Sequence, residues 1–296
     1  MKKGFLIIIV VALLLTGCTT GEKVGEYEDG KPIVYTSFYP LYFLADEIGK
    51  DNINLRVVIP NGVEPHDYEP SIKQLKDIEN ADVFIYNGAG FESWADKLIN
   101  TVIGKEKALS ASDGVDLNRI DGGLDPHIWL DPNNMNKIGE KIKDKFISLD
   151  EEHKEEYENN FKQLSQKLMK LDKDYREALK DKKKDKILVS HAAFGYMAKR
   201  YKFDQISIAG MSPEQEPSPK AMADIIDLAK ENDFKYIFLE TLASPKVVKV
   251  IADEANLEIL TLNPIEGLTE EEQKNHEDYI SIMEKNLENL KKELVN

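Results

Sequence analysis

From Asp150 to about Lys183 the chain carries no glycine or proline. Its apolar residues there fall at Tyr157, Phe161, Leu164, Leu168, Leu171, Tyr175 and Leu179. The steps are three or four residues throughout, so one face of a single helix collects all of them. Asp150 is placed to cap that helix, with Glu151 and Glu152 in its first turn. At 1.5 Å per residue such a helix reaches roughly 50 Å, longer than one small domain is wide. It must therefore be a coiled-coil arm, since the stripe lasts about four heptads, or a strut lying along two bodies. Tyrosine and phenylalanine mixed into the seam favour the packed strut.

On both sides of this segment short apolar runs alternate with helical patterns. Before it, Ile33–Thr36, Leu55–Ile59 and Val83–Tyr86 read as strands. Leu41–Ile48, Ser71–Ile78 and Phe91–Ile103 read as the helices between and after them. After it, Ile187–Val189, Gln205–Ala209, Tyr236–Leu239 and Ile259–Leu262 are strands. Ala192–Tyr201, Ala221–Asn232, Lys246–Ala255 and Asp278–Leu294 are helices. Strands spaced by helices of this length imply βα units and mainly parallel sheets. The expected fold is α/β: two lobes with mainly parallel sheets flanked by helices, joined by one long rigid helix. The lobes are expected over 32–149 and 185–296, with the helix over 150–184.

The N-terminus reads as an export signal. Lys2 and Lys3 precede an apolar run from Phe5 to Leu15, too short for the roughly twenty residues that cross a bilayer. Leu15-Thr16-Gly17-Cys18 resembles the lipobox of bacterial lipoproteins, which implies removal of residues 1–17 and lipidation of Cys18. Cys18 is the only cysteine of the chain, so no internal disulfide is available and a lipid thioether accounts for it. Residues 18–31 are polar and glycine-containing, as expected of a flexible tether. A formal net charge of −15 argues against nucleic-acid or anionic-lipid binding, where basic patches carry the affinity. It is compatible with a cation ligand without requiring one.

Of the five histidines, His66 and His191 follow strands, one in each half, where open α/β sheets gather their ligands. His127 lies in the proline-bounded loop Asp125-Pro126-His127-Ile128-Trp129-Leu130-Asp131-Pro132. His153 and His276 lie on charged helical segments and are assigned to solvent. The sequence separations match no local metal motif, and a lone loop histidine is ordinarily a hydrogen-bonded surface residue. The shared setting counts for more. His66 and His127 sit in proline-bounded, acid-containing loops, prolines lower the entropy lost in fixing ligands, and Glu64, Asp67, Asp125 and Asp131 are near enough to orient an imidazole. Loop solubility and helix capping account equally well for any one of those carboxylates.

Three blocks carry a resemblance: Glu64-Pro65-His66-Asp67-Tyr68-Glu69-Pro70, the Asp125–Pro132 loop, and Ser190-His191-Ala192-Ala193-Phe194-Gly195-Tyr196. They are similar to those of the zinc and manganese receptors of ABC importers, the cluster 9 or cluster A-I solute-binding proteins, and the likeness runs in order from about Ile33 to Asn296. It implies two lobes with the metal held between them, His66 and His127 coming from the first and His191 from the second. It implies a fourth ligand after the last strand, for which Glu266 is expected, with Glu240 in reserve. Some members carry aspartate where this chain has Asn263. The implied function is an extracytoplasmic, lipid-anchored, monomeric receptor delivering Zn²⁺ to a cognate ABC permease and ATPase. Three imidazoles and one carboxylate suit tetrahedral zinc, whereas manganese-preferring members usually replace the third histidine with an acid. A manganese receptor of the same family is the alternative. A zinc-dependent surface hydrolase or an adhesin stands behind it, and no H-E-x-x-H or dedicated general base favours an enzyme. Residues 115–124 hold no histidine, so an accessory metal-collecting loop is not expected.

Overall fold

The computed structural model describes residues 27–120, 123–215 and 217–296. The export signal and Cys18 lie outside the described residues.

In the first half, β1 (Ile33–Thr36), β2 (Asn54–Val57), β3 (Val83–Tyr86) and β4 (Ala108–Ser110) form a parallel sheet in the order β2-β1-β3-β4. A small antiparallel ladder of β5 (Arg119–Ile120) and β6 (Gly123–Leu124) follows. In the second half, β7 (Lys186–Val189), β8 (Asp204–Ser207), β9 (Tyr236–Leu239) and β10 (Glu258–Thr261) form a second parallel sheet, ordered β10-β9-β7-β8. The central strands β1, β3, β7 and β9 are short and nearly all apolar because helices cover both faces of each sheet, whereas the edge strands β2, β8 and β10 carry polar residues. α1 (Tyr39–Gly49), α2 (Ile72–Glu79) and α3 (Ala95–Leu98) flank the first sheet. α2 opens where Ser71 and Gln74 cap each other's backbone N–H groups, the capping box expected of S-x-x-Q.

The middle differs from the sequence expectation. α4 (Pro132–Leu149) precedes the long helix, with Asp131 capping it and Pro132 in its first turn. The long helix itself, α5, spans Lys154–Leu179, 26 residues or about 39 Å. Asp150 does not cap α5. Its N–H closes the last turn of α4 on the Phe146 carbonyl, and its carboxylate accepts from the Tyr157 hydroxyl at 2.8 Å and His153 Nδ1 at 2.7 Å. Asp150 to His153 is thus the corner of a helical hairpin. The apolar stripe of α5 is buried at Tyr157, Leu164, Leu168, Leu171, Tyr175 and Leu179. It packs against α1 and α4 on one side and, in the second half, against α10 (Tyr279–Leu294), where the Tyr175 hydroxyl donates to the Met283 carbonyl at 2.6 Å. The stripe is consumed inside the chain and is not free to zip against another copy.

Around the second sheet lie α6 (Gly195–Tyr201), α7 (Pro219–Glu231), α8 (Lys246–Ala255), the short α9 (Glu270–Lys274) and α10. One apolar core runs from Val34 in the first lobe through α4 and α5 to Leu294 in the second. Two smaller clusters pack the outer faces of the sheets, one around Phe84 and Ile78, the other around Ile237 and Ile251. Each fully buried leucine of this core contributes about 1.5–3 kcal/mol relative to exposure. Polar bonds tie the lobes together as well. Trp129 Nε1 donates to the Pro264 carbonyl at 2.7 Å, the Tyr279 hydroxyl to the Trp129 carbonyl at 2.6 Å, and the Tyr196 hydroxyl to the Asp125 carbonyl at 2.8 Å.

Candidate metal centre

Four side chains converge where the two lobes meet. His66 sits in the loop after β2 and His191 at the end of β7, both at carboxyl ends of parallel strands, the edge at which such sheets bind ligands. His127 immediately precedes the short helical turn Ile128–Leu130. Glu266 follows β10. The residue before it, Ile265, is fully buried with φ +59°, a conformation that costs a β-branched residue about 1–3 kcal/mol. Two bonds hold that turn: Asn263 Oδ1 accepts from Ile265 N at 2.7 Å, and Trp129 clasps the Pro264 carbonyl. The strain turns Glu266 inward.

One atom from each residue contributes to the cluster, and all four lie within 4.8 Å of one another. His127 Nε2 is 3.3 Å from His66 Nε2 and 3.3 Å from His191 Nε2. Glu266 Oε1 is 3.3, 3.5 and 3.6 Å from the Nε2 atoms of His66, His127 and His191. The other ring nitrogens are held from behind. His127 Nδ1 donates to Asp125 Oδ1 at 2.9 Å, and that same oxygen accepts His127 N at 3.0 Å. His191 Nδ1 is 2.6 Å from Glu240 Oε2, while Glu240 Oε1 accepts from the Ser190 hydroxyl at 2.6 Å. With a proton kept at Nδ1, each of these two rings aims its Nε2 at the centre, where loss of the second proton frees a lone pair for a cation. His66 is fixed differently. Its backbone N–H donates to Glu64 Oε1 at 2.9 Å, and its ring meets Phe91 edge to face at 5.0 Å.

Charge follows from this geometry. Burial opposes protonation of His191, but the Glu240 and Glu266 carboxylates overcome it and hold the imidazole up at about 10. His127 is raised in the same way, burial being outweighed by Asp125 and Glu266. Burial would raise the Glu266 carboxyl, yet the three imidazoles hold it well below the ordinary range. Burial, with the charge of Glu266 adding to it, pushes Glu64 up to about 8. The side chains of His127, His191 and Glu266 are at most 1% exposed, and only His66, at 9%, reaches solvent. Whatever enters must pass His66. A pocket of convergent Lewis-base atoms with a net negative lining can hold a small cation.

The remaining sequence candidates separate clearly. Glu240 stands behind His191 rather than at the centre. Asn263 is turned away, its amide donating to Glu272 at 2.7 Å. Asp125 orients an imidazole, whereas Asp67 is exposed and Asp131 caps α4 and pairs with Arg200 at 3.2 Å. His153 is half-buried at the helical corner and His276 is exposed. Sequence reasoning passed over Phe91 and Trp129, whose rings meet each other edge to face at 5.2 Å, Phe91 also meeting His66 edge to face and Trp129 lying tilted against His127. Trp129 was visible two residues from His127; Phe91 carried no local signal.

Two parallel α/β lobes bound by a long helix, with a small cation-sized pocket closed between them, define a bilobal solute-binding receptor. The sequence profile described as zinc-uptake complex component A, periplasmic (ZnuA), matches residues 34–293, and the chain belongs to this family. It is 37% identical over 312 residues to the high-affinity zinc uptake system protein ZnuA of Bacillus subtilis, covering 99% of this chain and 97% of that one. It is 36% identical over 309 residues to the zinc-binding lipoprotein AdcA of Streptococcus pneumoniae, covering 98% of this chain but only 61% of that longer protein. The crystal structure of the Zn(II)-bound ZnuA-like domain of the same AdcA superposes with a TM-score of 0.80 at 38% identity, over 90% of this chain and all of that one.

Proposed function

We propose that this chain is an extracytoplasmic receptor that captures Zn²⁺ through His66, His127, His191 and Glu266 and delivers it to an ABC importer. The spacing of the four atoms carries the reading. A tetrahedron with metal–ligand bonds of about 2.0–2.1 Å has edges of about 3.3–3.4 Å; five of the six separations run from 3.3 to 3.6 Å, and the sixth, between His66 and His191, lies within 4.8 Å. Three imidazoles favour zinc over manganese, which prefers a harder oxygen set. Four protein donors fill a tetrahedral shell and leave no open position for a metal-bound hydroxide, which supports carriage over hydrolysis. The zinc named for the relatives supports the same cargo. In this reading lipidation of Cys18 holds the receptor near its permease and ATPase. The internal burial of the α5 stripe supports a monomer.

The test is competitive titration of the metal-free chain with Zn²⁺ and Mn²⁺, with metal content measured after dialysis. One zinc per chain, not displaced by excess manganese, is expected. No stoichiometric zinc, or displacement by manganese, overturns the assignment.

A further inference from the structure

Glu92 is a buried carboxylate that the ligand set does not use. Its side chain lies in the loop between β3 and α3 and the residue is 6% exposed. Its two oxygens accept the backbone N–H groups of Asn87 at 2.7 Å and Gly88 at 3.1 Å. No Lys, Arg or His among the described residues pairs with it. Burying a carboxylate on hydrogen bonds alone is costly, so what those bonds hold in place matters.

They hold a loop in which Gly88, Ala89 and Gly90 all have positive φ, at +76°, +53° and +83°. The two N–H groups at the entrance to this turn, those of Asn87 and Gly88, are both taken by the chain's own carboxylate. The loop leads to both histidines of the first lobe. The Asn87 amide donates to the Pro126 carbonyl at 2.8 Å, one residue before His127. Phe91, adjacent to Glu92, presents its ring to His66 at 5.0 Å and to Trp129 at 5.2 Å.

We propose that Glu92 is a positioning residue for the metal centre, acting through the Asn87–Phe91 loop on His66 and His127. The inference rests on the zinc-site reading and goes beyond it by naming what sets the geometry of two ligands that share no strand. Glu293 provides the comparison. It is 2% exposed and likewise accepts two backbone N–H groups, those of Lys235 and Tyr236 at 3.1 and 2.9 Å. Those residues lie at the start of β9, the sheet end away from the metal centre, and Lys184 neutralises the carboxylate at 2.9 Å.

The experiment compares Glu92→Gln, Glu293→Gln and wild type for zinc affinity by chelator competition, for the visible spectrum of the Co²⁺-loaded protein, and for melting of the metal-free protein. A glutamine at 92 keeps one acceptor and turns an amide donor toward a backbone N–H. Glu92→Gln is expected to weaken zinc binding by about 10–100-fold, the usual effect of losing a group that orients metal ligands, and to alter the Co²⁺ spectrum. Glu293→Gln is expected to lower melting while leaving affinity and spectrum at wild-type values. A folded Glu92→Gln protein with wild-type affinity and spectrum overturns the proposal, as does equal weakening in Glu293→Gln. Should Glu92→Gln not fold, Asn87→Ala removes the amide's bonds to the Pro126 and Gly88 carbonyls while leaving Glu92 in place, and wild-type zinc affinity there overturns the proposal equally. Failure of the underlying site reading looks different: wild type and His191→Ala would then bind zinc alike.

Discussion

Zinc capture by this site should expel protons. In the metal-free centre the His191 imidazole is held at about 10 by Glu240 and Glu266, so near neutral pH it is protonated on both nitrogens. The Nδ1 proton is retained against Glu240, 2.6 Å away, and the Nε2 proton occupies the place of the metal. Binding must therefore release at least one proton per zinc, and His127, also raised, can add to it. One released proton makes the apparent dissociation constant fall about tenfold for each unit of pH between about 6.5 and 9. Calorimetric titration in buffers of different ionisation enthalpy counts the protons, and chelator competition between about pH 6.5 and 8.5 gives the slope. Glu240→Gln removes the charge that raises His191 and should reduce both. Identical binding enthalpies in all buffers together with a flat pH profile would refute the reasoning. The same shift has a stability consequence with the opposite sense. A raised histidine stabilises the metal-free fold below its unfolded value of about 6.5, and that contribution is lost as pH climbs through about 10. Melting of the metal-free protein should fall across that window.

Further outcomes follow from individual contacts. His191→Ala should weaken zinc binding by at least about 100-fold, since it removes a ligand, while His153→Ala leaves it unchanged; equal affinities would remove His191 from the site. Leu171→Ala, in the α5 stripe at 2% exposure, should cost about 2–5 kcal/mol in urea unfolding; a loss within error would show that the stripe is not core. Trp129→Phe leaves the buried Pro264 carbonyl without its donor and should destabilise by about 1–3 kcal/mol while weakening zinc, because the turn carrying Glu266 loosens. Zinc at a thousandfold excess over its dissociation constant should stabilise the fold by about 4 kcal/mol, visible as a rise in melting temperature that a chelator reverses.

Much of this architecture is legible in sequence because it obeys local periodicity. The strands at Ile33, Val83 and Tyr236 and the helix from Tyr279 follow from short apolar runs and from an N-cap at Asp278. The helix at Pro132–Leu149 is missing from the sequence reading although its signals are present. Asp131 and Pro132 mark its start, and Met135, Ile138, Ile142 and Phe146 lie on one buried face. The start of α5 was misplaced because an aspartate before glutamates signals a cap equally well when it closes the preceding helix, as Asp150 does. The helix expected from Phe91 begins only at Ala95, because Glu92 is committed to the backbone of Asn87 and Gly88 instead of facing solvent. At the site, strand ends pointed to His66 and His191, but nothing local separates Glu266 from Glu240. Both follow parallel strands. The difference lies in the left-handed backbone of Ile265, which its side chain disfavours and which only the contacts from Asn263 and Trp129 impose.

The continuous core has a consequence for modularity. Val34, the α5 stripe and Leu294 belong to one apolar body, so the lobes are halves of a single folding unit and not exchangeable parts. A lobe expressed alone would leave one flank of α5 bare. A chimera joining lobes of two relatives would have to match the shapes of α1, α4, α5 and α10 before any metal ligand mattered. Recombination within such a chain is constrained by the seam and not by the site, and metal preference is more readily altered by changing loops at strand ends than by exchanging lobes.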